Sequence, residues 1–183
     1  MSAGPIPPAA LAAAVAEARA LLRMAGEGEQ AVLERLVATA FQLGEAFTGI
    51  LFVRRDVTEL LPAQPAWRVL AAAPVAAITG VSGVSADGAA FALPAESHAV
   101  DIDGDGCGWV KVTAPGTARR VAVSYAAGLA AEWAELPAPI AQGVVALAAH
   151  LFNDGGSGRQ PPASVAALWR PYRRMRLVNG ARA

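Results

Sequence analysis

Residues 121–177 constrain this chain more than any other stretch. They read V-A-V-S-Y-A-A-G-L, then L-P-A-P-I-A-Q-G-V-V-A-L-A-A-H-L-F, a glycine-rich break, and V-A-A-L-W-R-P-Y-R-R-M-R-L. Val121, Val123 and Tyr125 alternate with smaller residues, the period of a strand with one buried face, and Gly128 ends it. Pro137 and Pro139 open a helix, because a proline in the first turn loses no hydrogen bond. Ile140, Val144, Leu147, Ala148 and Leu151 follow at helical spacing. The glycines from 155 to 158 stop that helix. A short helix over 163–169 then leads to Pro171 and a basic tail.

The rest of the chain gives a helix pair followed by strands. Residues 1–8 read as a loose arm. Residues 9–25 place Leu11, Val15, Leu21 and Leu22 on one face of a first helix. Gly26 and Gly28 break it. Residues 29–47 form a second helix with Leu33, Leu36, Val37, Ala40, Phe41 and Phe47 as its buried stripe, closed by Thr48 and a Gly49 cap. Extended segments follow at 50–61, 67–70, 77–81, 89–93, 98–102, 108–113 and 119–125, with a turn at Asp87-Gly88. Helix pair, antiparallel strands, then helices is an α+β order, not an alternating βαβ one. The expected organisation is a single domain over 1–169 and a basic C-terminal arm over 170–183.

Composition narrows the function. A chain of 183 residues is long enough to bury a real core. Charged residues make up only 16%, sparse for the surface of a free monomer, which hints at surface covered in an assembly. The net charge is zero, so the whole chain is not built to bind nucleic acid. The distribution is uneven: six arginines and no acid lie from Arg159 onward, while nine basic and fifteen acidic residues precede it. The lone cysteine, Cys107, excludes an intrachain disulfide and fits a reducing cytoplasm. No apolar run reaches the roughly 18 residues of a membrane span, and the N-terminus lacks the basic start of a signal peptide.

Few residues carry a chemical signal. The run Asp101-Ile102-Asp103-Gly104-Asp105-Gly106 matches the opening of a calcium loop. Its twelfth position, however, is Val112 instead of the bidentate glutamate, and its flanks read as strands. A turn stiffened by aspartate side chains fits better, so no metal is expected. His98 sits in a strand and His150 ends an apolar helix. Ser97, Ser124 and Cys107 lack the setting of a nucleophile, and neither Gly83–Gly88 nor Gly155–Gly158 is a phosphate loop. No enzyme and no cofactor are expected. Trp67, Trp109, Trp133 and Trp169 divide between core packing and interface anchoring, with Trp169 open between the two.

The order strand-Tyr-x-x-Gly, Leu-Pro-x-Pro-Ile-x-Gln, an apolar helix ending near a histidine, a glycine break and Leu-x-x-Pro-Tyr-Arg-Arg resembles the head–tail connector (adaptor) proteins of tailed phages, prophages and gene transfer agents. Phe47-Thr48-Gly49 before the strands, and Pro74-Val75 leading into one, fit the same plan. The resemblance implies a structural protein of a particle neck, assembled in the bacterial cytoplasm. Copies would form a ring, a dodecamer by resemblance, beneath the portal. The ring would extend the DNA channel and meet the next neck or tail component, with DNA passing through unread. It also implies that the C-terminal segment reaches the portal protein. The residues expected to do so are Trp169, Arg170, Tyr172, Arg173, Arg174, Met175, Arg176, Leu177 and Val178. Apolar groups interleaved with arginines suit docking better than a purely electrostatic arm. The alternative is a DNA-binding or packaging accessory protein that uses the arginine-rich tail, which a steep salt dependence would reveal.

Overall fold

The computed structural model describes residues 1–24, 26, 28–155 and 158–174. They fall in two compact units, each drawn from separate parts of the chain. A sheet unit takes residues 1–5 and 54–128, and a helical unit takes residues 6–53 and 129–174. The chain leaves the sheet unit after residue 5 and re-enters it at 54, so no single linker marks a boundary. The α+β class read from the sequence is what the chain adopts.

The sheet unit contains β1 (Ser2–Ala3), β2 (Arg55–Pro62), β3 (Arg68–Val69), β4 (Val75–Val84), β5 (Ala90–Ala92), β6 (His98–Ile102), β7 (Gly108–Val112) and β8 (Arg120–Ala127). Five strands pair in the order β1-β2-β8-β4-β5 and three in the order β3-β7-β6. Every pairing within the two sheets is antiparallel. β8 is central because its alternation gives it a buried side: Val121, Val123, Tyr125 and Ala127 are all enclosed. β4 pairs with β8 through two irregularities, between Val75 and Ala77 and between Ile78 and Gly80. On β7, Val110 and Val112 are buried, and Gly108 lies so close to Leu70 and Val75 that a Cβ there would stand 2.7 and 2.9 Å from their side chains.

Two expectations for this region are corrected. The N-terminus is not loose: Ser2 and Ala3 pair with Thr58 and Val57, and the Gly4 amide donates to the Asp56 carbonyl at 2.9 Å. The strand expected to begin at residue 50 begins at Arg55. Ile50, Phe52 and Val53 are buried in the helical unit instead. Local pattern cannot separate the two, because an apolar extended segment looks alike whichever core receives it.

The helical unit contains α1 (Pro8–Leu22), α2 (Gln30–Thr48), α3 (Ala138–Asp154) and α4 (Ala163–Trp169). Pro8 opens α1, and Pro137 and Pro139 open α3, as their fixed φ allows. α2 ends at Gly49, whose φ of 73° is the left-handed cap a side chain would strain, and whose N–H donates to the Glu45 carbonyl at 2.8 Å. α2 buries Leu33, Val37, Ala40, Phe41, Gly44 and Thr48, so its stripe is rotated from the expected one: Leu36 is only half-buried and Phe47 is 36% exposed. α1 differs more. It buries Ala10, Ala14, Val15 and Ala18, and leaves Leu21 57% exposed. Small residues face inward there because α1 packs on both α2 and α3, and alanines permit close approach of helix backbones.

Candidate functional site

The C-terminal segment carries the sequence-derived site, and its root is built into the helical unit. Trp169, the last residue of α4, is 3% exposed. Its indole N–H donates to the Ile140 carbonyl at 3.3 Å. The ring occupies a slot made by two glycines. A Cβ on Gly143 of α3 would stand 2.2 Å from the indole nitrogen, and one on Gly44 of α2 would stand 2.9 Å from the ring and 2.7 Å from Phe52. Tilted ring contacts then run from Trp133 to Phe41 (5.4 Å), Phe41 to Phe52 (6.1 Å), Phe52 to Trp169 (6.1 Å) and Trp169 to Phe47 (6.2 Å). Such separations suit tilted aromatic pairs, each worth about 0.5–1.5 kcal/mol beyond burial. Trp169 is therefore a core residue and has no free surface to offer a partner.

Beyond it, the chain stays on the unit longer than expected. Arg170, Pro171 and Tyr172 form a 3-10 turn. Proline is tolerated there because the first turn of a helix needs no donor from it. Tyr172 packs partly buried against the core, and the Arg173 guanidinium lies 5.7 Å from the centre of the Phe47 ring. The Arg174 amide donates to the Thr48 carbonyl at 2.7 Å, occupying a carbonyl at the C-terminal end of α2. Arg170 and Arg173 are exposed. Met175, Arg176, Leu177 and Val178 lie outside the described residues.

Among the remaining sequence candidates, the aspartate-rich turn is held by its own hydrogen bonds. In the aspartate-rich turn, one Asp103 oxygen accepts from the amides of Asp105 (3.0 Å) and Cys107 (2.9 Å), and the other accepts from the Trp109 indole N–H at 2.9 Å. The indole, and then the Cys107 amide, hold the Asp103 carboxyl below its ordinary value. Gly106 turns the chain with φ 70° and lies against Pro74. Among the described residues, no three His, Cys, Asp or Glu side chains converge as a metal site would require. His98 Nδ1 lies 3.2 Å from the Pro94 carbonyl, and His150 Nε2 lies 3.2 Å from the Arg159 carbonyl. No helix among the described residues is long and apolar enough to cross a membrane.

Sequence reasoning missed a buried polar group of the sheet unit. Glu59 of β2 is 8% exposed, and one of its oxygens accepts from the Tyr125 hydroxyl at 2.9 Å and the Ala71 amide at 2.7 Å. The Tyr125 hydroxyl in turn accepts from the Ala72 amide at 3.1 Å. The signal available was an acidic residue, Glu59, on the apolar side of an alternating strand.

Three solved structures from gene transfer agent particles share this fold. The chain is similar to a protein in the neck of the empty gene transfer agent particle, reconstructed with six-fold symmetry, at 26% identity and a TM-score of 0.76. It is equally similar to one in the neck of the native particle reconstructed with twelve-fold symmetry, at 26% identity and 0.76. A protein in the native virion gives 26% and 0.75. In each case the match covers 98% of this chain and 99% of the other. The resemblance carried by residues 121–177 thus extends to the whole fold. No protein-family model and no curated protein matches the chain.

Proposed function

We propose that the protein is a structural adaptor of the neck of a gene-transfer-agent or related phage-like particle, without catalytic activity. Copies form a ring beneath the portal, extend the DNA channel, and present a platform to the next neck or tail component. The observation that carries this reading is the end-to-end similarity to neck proteins from reconstructions with six- and twelve-fold symmetry. A body without excess positive charge suits a channel through which DNA must pass unretained.

In this reading the portal contact starts at Arg170. Arg170, Tyr172, Arg173 and Arg174 lead from the body, and Met175, Arg176, Leu177 and Val178 complete the docking peptide. Arginines steer the segment to an acidic groove, and the apolar residues fill pockets there. The buried Trp169 fixes where the peptide leaves.

Two truncations test this. Ending the chain after Arg174 is expected to preserve the melting temperature and abolish attachment to portal-bearing heads in electron micrographs. Ending it after Trp169 also removes the Tyr172 packing and the Arg174–Thr48 hydrogen bond, so that variant should melt earlier as well. Normal decoration of heads by the chain ending at Arg174 would refute the docking role.

A further inference from the structure

Two helices of the helical unit carry outward faces that suit burial better than water. On α2, Val32 (41% exposed), Leu36, Leu43 (48%) and Phe47 (36%) follow at spacings of four, seven and four, adjacent to the side that fills the unit's own core. That spacing is the seam of a helix packed on a second helix. On α1, the outward residues Ala9, Ala12, Ala16 and Ala20 form a smooth face without a charged group along its centre. Glu17 and Arg19 flank it, and both turn to their own unit: Glu17 accepts from the Trp133 indole at 2.7 Å, and Arg19 donates to Gln30 at 2.7 Å. A helix face exposed to water normally carries charge along its centre; on these two the arginines stand at the ends, Arg173 over the Phe47 ring on α2 and Arg23 three residues past Ala20 on α1.

We infer that the α2 stripe of one copy packs on the alanine face of α1 in the next copy, and that this is the lateral contact of the ring. The inference rests on the ring reading above and names the faces that make it. A ring requires a head-to-tail contact between two different surfaces of the same chain, because a surface that pairs with itself stops at a dimer. The chain supplies one face of projecting side chains and one flat face of methyl groups, which allow close approach.

The size of the contact sets its behaviour. From Val32 to Phe47 the stripe runs about 22 Å on a helix about 10 Å across, or roughly 220 Å² in projection. A standard stable interface needs about 800 Å² per partner. One such contact is therefore weak alone and holds only when ring closure and portal attachment multiply it.

The test uses the full chain carrying Cys107→Ser, on portal-bearing heads, with disulfides formed by oxidation. Leu43→Cys together with Ala16→Cys should give a ladder of cross-linked species beyond the dimer. An equal mixture of the two single-cysteine variants should stop at the dimer, and each single variant should remain monomeric on the gel. Separately, Leu43→Asp should keep the circular dichroism and melting temperature of the wild type and lose rings at least tenfold in micrographs. A dimer from Leu43→Cys alone would mean that α2 meets α2 and would overturn the inference. Rings on heads without cross-linking of the double variant, or rings undiminished by Leu43→Asp, would overturn it too while leaving the adaptor reading intact. Wild-type heads without rings would remove the adaptor reading and the inference with it.

Discussion

The helical unit and the sheet unit are specified in different ways. In the helical unit, five aromatic rings pass from Trp133 to Phe47, and the decisive fit is that of Trp169 between Gly44 and Gly143. In the sheet unit the interior is mostly valine: Val57, Val75, Val84, Val110, Val112, Val121 and Val123 are buried. Its specific features are polar, the Glu59–Tyr125 pair and the Asp103 turn. Helix faces can slide and rotate over one another, so a matched knob and slot is needed to fix them. Strands take their register from the in–out alternation of their apolar residues and from the turns that join them. Their side chains can be nearly uniform, and the loops between them need polar anchors.

The largest expected effect tests the slot. Trp169→Ala should cost about 3–5 kcal/mol of stability, the usual range for emptying a buried tryptophan site. Gly143→Ala sharpens the point, because two effects oppose. Alanine gains about 1 kcal/mol of helix propensity over glycine. Its Cβ, however, would stand 2.2 Å from the Trp169 nitrogen, and overpacking costs about 1–3 kcal/mol. We expect net destabilisation in urea titrations. Gly80 of β4 has nothing within 4 Å of an added Cβ, so Gly80→Ala should stay within about 0.5 kcal/mol of wild type. A stabilised Gly143→Ala variant would break the distinction between the units.

Next in size is the polar pair of the sheet unit. Tyr125→Phe leaves the Ala72 amide without its acceptor and takes one donor from Glu59, at a cost of about 1–3 kcal/mol. Adding Glu59→Gln should change stability less in the Tyr125→Phe background than in wild type, because the two groups act together. A double-mutant cycle showing simple additivity would mean that valine packing alone specifies this unit.

The smallest effect is a slope. Hydrogen bonds from the Trp109 indole and then the Cys107 amide depress the folded Asp103 value. The ionised form therefore stabilises the fold. That contribution is full above the unfolded value, about 3.9, and is lost as pH falls through the lower folded value. Between pH 5 and pH 3 the melting temperature of wild type should fall more steeply than that of Asp103→Ala. Equal slopes would remove Asp103 from the anchors of the sheet unit.

Much of this architecture was legible from local chemistry. Strand β6 over His98–Ile102 and helix α4 over Ala163–Trp169 fall where the sequence places them, since glycines, prolines and periodicity bracket both. The Gly49 cap and the proline start of α3 were legible for the same reason. The inner face of α1 was misread, because hydrophobicity favours Leu21 over Ala14, whereas close helix packing favours alanine. Gly44 and Gly143 were the available clue to the slot. A glycine inside a helical pattern costs stability unless something needs its space, but nothing local says that the occupant is Trp169.

By itself, the sequence determined the α+β class, the positions of most elements, and the Tyr125-to-Tyr172 order that resembles a neck protein. These depend on periodicity, turn residues and spacing, all properties of neighbours along the chain. Only the tertiary structure decided that Phe52 belongs to the helical core and that Ser2–Ala3 closes a sheet. It also decided that Glu59 is held by Tyr125, and that Trp169 is buried while Leu43 is left exposed. Each of these joins residues far apart in sequence, Glu59 to Tyr125 and Gly44 to Trp169. Whether an apolar side chain fills a core or faces outward depends on what folding brings against it.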